Sequence, residues 1–325
     1  MADIMELALD CASPENPVLF LGPPGVGKTA RIEQWAERTG KRLIVEHPVI
    51  AQSVDYRGLP AVVEGEAHWL PLGNLKQICA EDCPPTVLLF DDVGQASASV
   101  QAALMQLVWA RKLGDMAISD NVTILLASNR VTDRSGVRPM LAALIGRCQV
   151  VHVGIDIAAW GSWAIKQHDI DPSVVGYARF RPDCFVSSVP EDPMVPFCTP
   201  RSLARMGSLV ARNVRALDML AGWVGMPIAA DYAAYAESVD KLPAIGDLLD
   251  NPKKALAITD PGLLHAVTAQ AARHAEDRGE DVIRLASTLG SGWNILMVSG
   301  AADVFPGIKK SAAFNAWAIN HRNII

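Results

Sequence analysis

The stretch that decides the fold is Gly22-Pro23-Pro24-Gly25-Val26-Gly27-Lys28-Thr29, which directly follows the apolar run Val18-Leu19-Phe20-Leu21. It fits the pattern G-x-x-x-x-G-K-S/T, and helix-forming residues from Ala30 onward complete the order of strand, glycine-rich loop and helix that this pattern requires. Backbone N–H groups of such a loop bind phosphate oxygens at close range, helped by the positive end of the helix dipole. The alternative is a Gly/Pro turn that binds no ligand, but such a turn does not require a preceding buried strand and a following helix. The stretch therefore predicts a site for a nucleoside triphosphate.

Two side chains of this loop carry the predicted phosphate and metal contacts. Lys28 is expected to reach the β- and γ-phosphates, and the Thr29 hydroxyl is expected to bind Mg²⁺. The residues assigned to the nucleotide are Gly22, Pro23, Pro24, Gly25, Val26, Gly27, Lys28, Thr29 and Ala30.

Polar side chains also follow two later apolar strands. The run Thr86-Val87-Leu88-Leu89-Phe90 ends in Asp91 and Asp92, and a further buried strand ends in Asn129. A buried strand that delivers a carboxylate at its carboxyl end completes the Mg²⁺ side of a phosphate-loop site, so Asp91 is predicted as that carboxylate. Asp92 is predicted as the base that polarises the attacking water, and Asn129 as a partner of the γ-phosphate and that water. The alternative for each is a polar strand end that starts a loop.

The order of elements predicts a parallel α/β sheet in the first half of the chain. Strands and helices alternate as far as Val153, whereas Ala-rich helical segments without alternation begin at Asp156. Residues 1–154 are therefore predicted as the α/β nucleotide-binding core and residues 155–325 as a helical region, with a proline-rich linker over 187–199. Two short β-rich pieces within segment 53–72 fit a β-hairpin that projects from the core and an irregular surface loop about equally well, and segment 110–121 is expected to form a second hairpin.

Helices are predicted over several segments beyond the core. They cover Arg201–Val214, Asp231–Val239, Pro261–Glu276, Gly279–Leu289 and Ser311–Asn320.

Composition and charge indicate which classes of binding partner and which cellular compartment are expected for this protein. The 325 residues carry a formal net charge of -6, which argues against broad electrostatic binding of nucleic acid but leaves a local basic groove open. The acidic start of the chain does not resemble a signal peptide, and no apolar run reaches the roughly 20 residues that span a bilayer. Six cysteines without a disulfide spacing are typical of reduced thiols, so a cytoplasmic protein is expected.

The ordered motifs resemble those of the AAA+ ATPases and, within them, the MoxR branch. The resemblance rests on Gly22–Thr29, Phe90-Asp91-Asp92, Ser128-Asn129-Arg130, Leu144-Ile145-Gly146-Arg147 and Thr199-Pro200-Arg201-Ser202, and it covers roughly residues 17–215. It implies a phosphate-loop NTPase sheet flanked by helices, followed by a helical lid and a C-terminal helical region. It also implies that the chain binds ATP and Mg²⁺ and hydrolyses the ATP.

The resemblance further implies roles for individual residues. Asn129 is similar to the first sensor of the family, and Arg201 to the second sensor in the lid. Arg147 is similar to the arginine finger, which reaches the site of a neighbouring subunit. One departure concerns Asp92, because the family usually has Glu at this position, and the shorter carboxylate lies farther from the water.

Three functional hypotheses follow. The leading one is a ring, a hexamer by resemblance, that remodels a protein client and works with a partner containing a von Willebrand factor A-type domain. The second is a nucleic-acid motor or loader whose pore is lined by Arg111 and Lys112. The third is a nucleotide-gated scaffold that scarcely hydrolyses ATP, which the departure at Asp92 keeps open.

Overall fold

The computed structural model describes residues 3–133, 135–185, 190–192 and 194–322, and the chain folds into two compact units. The first unit extends to Ile155, and the second begins at Asp156. Part of the linker expected over 187–199, namely residues 187–189 and 193, lies outside the described residues.

The first unit alternates helices and strands along the chain. Its helices are α1 (Ile4–Asp10), α2 (Lys28–Arg38), α3 (Ser53–Arg57), α4 (Ala98–Ala110) and α5 (Ala142–Ile145). Its strands are β1 (Val18–Leu21), β2 (Arg42–Glu46), β3 (Leu59–Val63), β4 (Glu66–Leu70), β5 (Thr86–Phe90), β6 (Lys112–Leu113), β7 (Met116–Ala117), β8 (Val122–Ser128) and β9 (Gln149–His152).

A five-stranded parallel sheet forms the centre of this unit. Its strand order is β2-β5-β8-β1-β9, and every neighbouring pair runs parallel. Strand β1 lies between β8 and β9, and its Val18 pairs with Leu125 of β8 on one side and with Gln149 of β9 on the other. The predicted parallel α/β sheet of a phosphate-loop NTPase is therefore confirmed.

Alternate residues of the strands pack into two apolar layers. Val18 and Phe20 of β1 share one cluster with Ile32 and Trp35 of α2. Leu19 faces the opposite cluster, which contains the apolar residues of α4. Because both faces of the sheet are covered by helices, its central strands are continuous apolar runs, which is the sequence pattern that identified them.

Both β-hairpins that the sequence suggested are present beside the sheet. Strands β3 and β4 pair antiparallel across the turn Glu64–Gly65, and β6 pairs with β7 across Gly114–Asp115. The hairpins touch each other, because Trp69 donates its N–H to Asp115 Oδ2 at 2.8 Å and accepts the Asp115 N–H at 3.2 Å. A Cβ on Gly114 would lie 2.3 Å from the Trp69 carbonyl oxygen, so this contact leaves no room for a side chain there.

The second unit consists of helices in the part of the chain that the structure describes. They are α6 (Ile157–Lys166), α7 (Pro172–Phe180), α8 (Pro200–Ala211), α9 (Leu217–Val224), α10 (Met226–Val239), α11 (Ile245–Asp250), α12 (Pro261–Ala272), α13 (Ala275–Ala286), α14 (Ser291–Val304) and α15 (Ala312–His321). None of the described helices combines the length and apolar character needed to cross a bilayer.

The helix predictions for this unit were partly wrong. The predicted break between Glu276 and Gly279 is a kink at Arg278 inside α13, whereas α12 already ends at Ala272. Helix α14 was not predicted at all. It carries buried residues on several sides, so its sequence lacks the one-sided periodicity by which surface helices are recognised.

Arg111, which the sequence suggested as a pore residue, serves the fold. Its guanidinium donates to the carbonyl oxygens of Pro14 at 2.7 Å, Ser119 at 2.7 Å and Val122 at 3.0 Å. Burial lowers the pKa of this side chain. The guanidinium therefore serves as a hydrogen-bond donor to backbone carbonyls of the first unit. The neighbouring Lys112 is exposed.

We expect Arg111→Ala to destabilise the first unit, because three carbonyl oxygens lose a charged donor. The expected loss in free energy of unfolding is about 1–3 kcal/mol. Urea denaturation of the full chain measures it, with Lys112→Ala as the exposed control expected within about 0.5 kcal/mol of wild type. Equal effects of the two substitutions would contradict the structural role of Arg111.

His265 of α12 is a half-buried histidine in the second unit. Its ring meets the Trp293 ring edge-on with centroids 4.7 Å apart, and its Nδ1 is buried without a hydrogen-bond partner. Burial, with a smaller effect of the Arg179 charge, lowers the pKa of His265 to about 4. The folded unit therefore holds this imidazole in its neutral form.

We expect the second unit to lose stability as the pH falls from about 6.5 towards 4, because the unfolded chain binds a proton there that the folded His265 does not. Thermal unfolding across this pH range measures the effect. Part of the slope should disappear in His265→Gln and persist in His47→Gln, which replaces an exposed histidine. An unchanged slope in His265→Gln would refute the assignment.

Candidate functional site

The candidate site lies at the carboxyl edge of three neighbouring strands, β1, β8 and β5. The glycine-rich loop leaves β1 at Gly22, whose N–H donates to the Ser128 carbonyl of β8 at 3.2 Å. A Cβ on Gly22 would lie 2.3 Å from the carbonyl oxygen of Val153, beyond the end of β9. The first residue of the loop is therefore held between two neighbouring strand ends, and only glycine fits there.

The loop continues into α2 without an intervening residue. Gly25 and Gly27 both have positive φ angles, of 72° and 97°, which glycine adopts without strain. Gly27 is the N-cap of α2, so Lys28 and Thr29 occupy the first turn of that helix. Both side chains therefore start from a rigid element, at the helix end that favours an anion.

Lys28 is buried, with only 7% of its surface exposed. Its ammonium donates to the carbonyl oxygens of Gly22 at 2.8 Å and Pro23 at 3.1 Å, and to Asn129 Oδ1 at 2.9 Å. These acceptors compensate a charge that would otherwise be costly to bury. The contact with Asn129 brings the predicted sensor at the end of β8 into the site.

Thr29 and Asp91 form the second polar contact of the site. The Thr29 hydroxyl donates to Asp91 Oδ2 at 2.6 Å, and Asp91 is 8% exposed. The backbone N–H of Asp91 donates to the Glu46 carbonyl of β2 at 2.8 Å, which fixes the carboxylate at the end of β5. The two predicted Mg²⁺ ligands are thus adjacent, although Thr29 belongs to α2 and Asp91 follows β5.

Asp92 turns the chain away from β5. Its backbone is left-handed, with φ of 56° and ψ of 33°, and its N–H donates to Asp91 Oδ1 at 3.0 Å. Aspartate tolerates this conformation better than most residues. Asp92 is therefore next to the Mg²⁺ side of the site, and its predicted role as base stays a prediction.

Arg147 does not share this edge. It lies between α5 and β9, two residues before Gln149, and Gln149 pairs with Val18 at the amino end of β1. The guanidinium donates to the Ala143 carbonyl at 2.5 Å. The arginine proposed as finger is thus at the edge of the sheet opposite the phosphate loop.

Arg201 belongs to the second unit. It is exposed in the first turn of α8, which is fixed by a capping box: Ser202 N–H donates to Thr199 Oγ1 at 3.1 Å, and Thr199 N–H donates to Ser202 Oγ at 2.8 Å. This start of the helix is the feature that the sequence singled out, and the sensor role of Arg201 stays a prediction.

Two further polar side chains follow or end strands next to the site. Glu46, at the end of β2, was not singled out by the sequence, yet burial and, to a lesser extent, Asp55 raise the pKa of its carboxyl. Gln95, three residues after Asp92, donates its amide to the Ser135 carbonyl at 3.1 Å. Glu46 could not have been found from the sequence, because a carboxylate at the end of a half-buried strand belongs to no recognisable motif.

The donor set fits a Mg²⁺–nucleotide. An ammonium held at a helix start suits phosphate oxygens, and the Thr29 hydroxyl and Asp91 carboxylate are oxygen ligands of the kind that Mg²⁺ prefers. The residues present can therefore hold the nucleotide and the metal.

Comparison with known families agrees with this geometry. Residues 18–153 match the model described as "ATPase family associated with various cellular activities (AAA)". This part of the chain is thus similar to AAA ATPase domains, and the match does not separate the MoxR branch from other AAA proteins. The comparison with curated proteins gives no match.

Solved structures similar to this chain include three RuvB mutants from Thermotoga maritima. Their sequence identities are 15%, 16% and 17%, with TM-scores of 0.41, 0.39 and 0.38. The matches cover 98%, 94% and 94% of this chain and 86%, 83% and 84% of those chains, in the same order. At these TM-scores the likeness carries no argument about function.

We expect Gly22→Ala to weaken binding of MgATP by at least about tenfold, because the added methyl group displaces either the loop or the Val153 carbonyl. Binding of a fluorescent ATP analogue measures it. Gly154→Ala is the matched control, since a Cβ there meets nothing within 4 Å. Unchanged affinity in Gly22→Ala would contradict the described loop geometry.

Proposed function

We propose that this chain is an ATP-hydrolysing subunit of a ring, in which Arg147 of one subunit completes the site of the next. The observation that carries the proposal is the cluster of Lys28, Thr29, Asp91 and Asn129 at one edge of the sheet. Hydrolysis would drive the remodelling of a protein client. From the MoxR resemblance, the proposal includes a hexamer and a partner with a von Willebrand factor A-type domain.

Each residue of the cluster has its own proposed role in binding or hydrolysing the nucleotide. Lys28 binds the β- and γ-phosphates, and its contact with Asn129 orients that amide towards the γ-phosphate. Thr29 and Asp91 hold Mg²⁺, which neutralises charge on the phosphates when it is bound. Asp92 polarises the attacking water and takes its proton.

The position of Arg147 supports action on a neighbouring subunit. Strand β1 spans four residues between the two edges of the sheet, which at about 3.3 Å per residue separates the edges by about 13 Å. Arg147 precedes the amino end of β9, whereas Lys28 follows the carboxyl end of β1. An arginine at that edge is far better placed to reach the site of another subunit than the site of its own. Arginines supplied in this way increase the rate of hydrolysis by about 10³–10⁵-fold.

The projecting hairpin supports a protein client. Val62 is 76% exposed, and Leu59, Val63 and Leu70 of the same hairpin are exposed as well. An apolar edge of this kind suits contact with a polypeptide better than with phosphate groups. The inward-facing Arg111 and the net charge of -6 weigh against the nucleic-acid motor.

The nucleotide-gated scaffold is the second candidate. It is favoured by Asp92, whose carboxylate is one methylene shorter than the Glu that the AAA+ family usually has. A scaffold of this kind would bind MgATP at the Lys28 cluster with little turnover.

Mixing two inactive variants tests the shared site. We expect Arg147→Ala to lower the ATPase rate per subunit by about 10³-fold or more and Lys28→Ala to abolish it. A 1:1 mixture should recover about a quarter of the wild-type rate, since one adjacent pairing in four joins an intact site to an intact arginine. Arg38→Ala, an exposed arginine paired with Glu6 at 2.7 Å, is the control.

Two results would contradict the proposal. Wild-type turnover by Arg147→Ala would remove the shared site, and tight MgATP binding without turnover by the wild-type chain would favour the scaffold.

A further inference from the structure

Trp109, next to the last residue of α4, is a large apolar side chain that the fold leaves uncovered. It is 68% exposed, whereas Leu107 and Val108 beside it are buried. The tryptophan therefore contributes little to the core of its own unit. A single exposed apolar residue is ordinary by itself, so its meaning depends on what it touches.

The ring of Trp109 lies against Arg147. The guanidinium carbon of Arg147 is 5.3 Å from the ring centroid, within the range of a cation–π contact. Among the described residues, this guanidinium also donates a hydrogen bond from Nη1 to the Ala143 carbonyl, and its Nε is buried without a hydrogen-bond partner there. Within that part of the chain, one carbonyl and one aromatic face orient the guanidinium.

We propose that Trp109 is a positioning residue for Arg147, and this inference rests on the proposed function. Its ring face holds the planar guanidinium in the orientation from which Arg147 enters the site of a neighbouring copy of this chain. A free arginine samples many rotamers, and stacking on an aromatic face removes much of that freedom before assembly. Trp109 itself touches neither nucleotide nor water.

The chemistry of the two surfaces supports a second copy as the partner. Tryptophan and arginine are the residue types most enriched at the energetic centres of protein interfaces. Arg147 precedes the amino end of the strands, whereas the Lys28 cluster lies at their carboxyl edge, where the proposed nucleotide would place phosphate charge that an arginine complements. One subunit thus carries an arginine and a site that needs one at opposite ends of the same strands, which suits a head-to-tail ring.

The primary test is the steady-state ATPase of Trp109→Ala. We expect kcat to fall about two- to fivefold with KM for ATP unchanged, since a cation–π contact at an exposed site controls a factor of this size. Trp109→Phe keeps an aromatic face and should restore most of the rate. Gln106→Ala, an exposed position one turn earlier in α4, is the matched control and should behave as wild type.

Two further measurements separate positioning from damage to the fold. When Trp109→Ala is mixed with Lys28→Ala, the ATPase rate per Trp109→Ala subunit should rise, because the Lys28→Ala subunit supplies an intact Trp109–Arg147 pair to an intact site. The double variant Trp109→Ala/Arg147→Ala should be no slower than Arg147→Ala alone, since Trp109 acts only through Arg147.

Several outcomes would overturn the inference while leaving the shared site intact. They are a wild-type rate in Trp109→Ala when Arg147→Ala is inactive, a defect that mixing does not relieve, and dissociation of Trp109→Ala at concentrations where Arg147→Ala stays assembled. Turnover by Arg147→Ala at the wild-type rate would instead refute the proposed function on which the inference rests.

Discussion

The buried ammonium of Lys28 is the interaction on which the rest of the site depends. A charge this deeply enclosed needs acceptors, and the structure supplies two carbonyls of its own loop and the amide oxygen of Asn129. These contacts join the start of α2 to the end of β8. The same contacts require the loop to pass closely over the strand ends, which explains the glycine at position 22.

The parallel direction of the strands organises the chemistry of the first unit. Because β1, β5 and β8 all end at one edge, residues about 100 positions apart in sequence, Lys28 and Asn129, come within hydrogen-bond distance. The same rule assigns Arg147, which precedes a strand, to the other edge. The sheet thus places the proposed nucleotide site at one edge and the arginine that is proposed to assist hydrolysis at the other.

The sequence predicted the features that depend on local pattern. Buried strands were recognisable as continuous apolar runs, and the residues after them, Asp91 and Asn129, could be assigned because parallel strands share an edge. Helices such as α14 could not be predicted, since burial on several sides removes the one-sided periodicity of their apolar residues. The inward turn of Arg111 and the contact of Trp109 with Arg147 depend on tertiary packing, for which a single sequence has no signal.

The paired hairpins connect one surface of the first unit to the end of α4. Trp69 donates its N–H to the Asp115 carboxylate and accepts the Asp115 N–H, and Gly114 lies close to the Trp69 carbonyl, so the hairpins β3–β4 and β6–β7 are joined at this point. The second hairpin continues directly from the end of α4, the helix that carries Trp109. The exposed tip of the first hairpin is therefore linked to the end of that helix through covalent and hydrogen bonds alone.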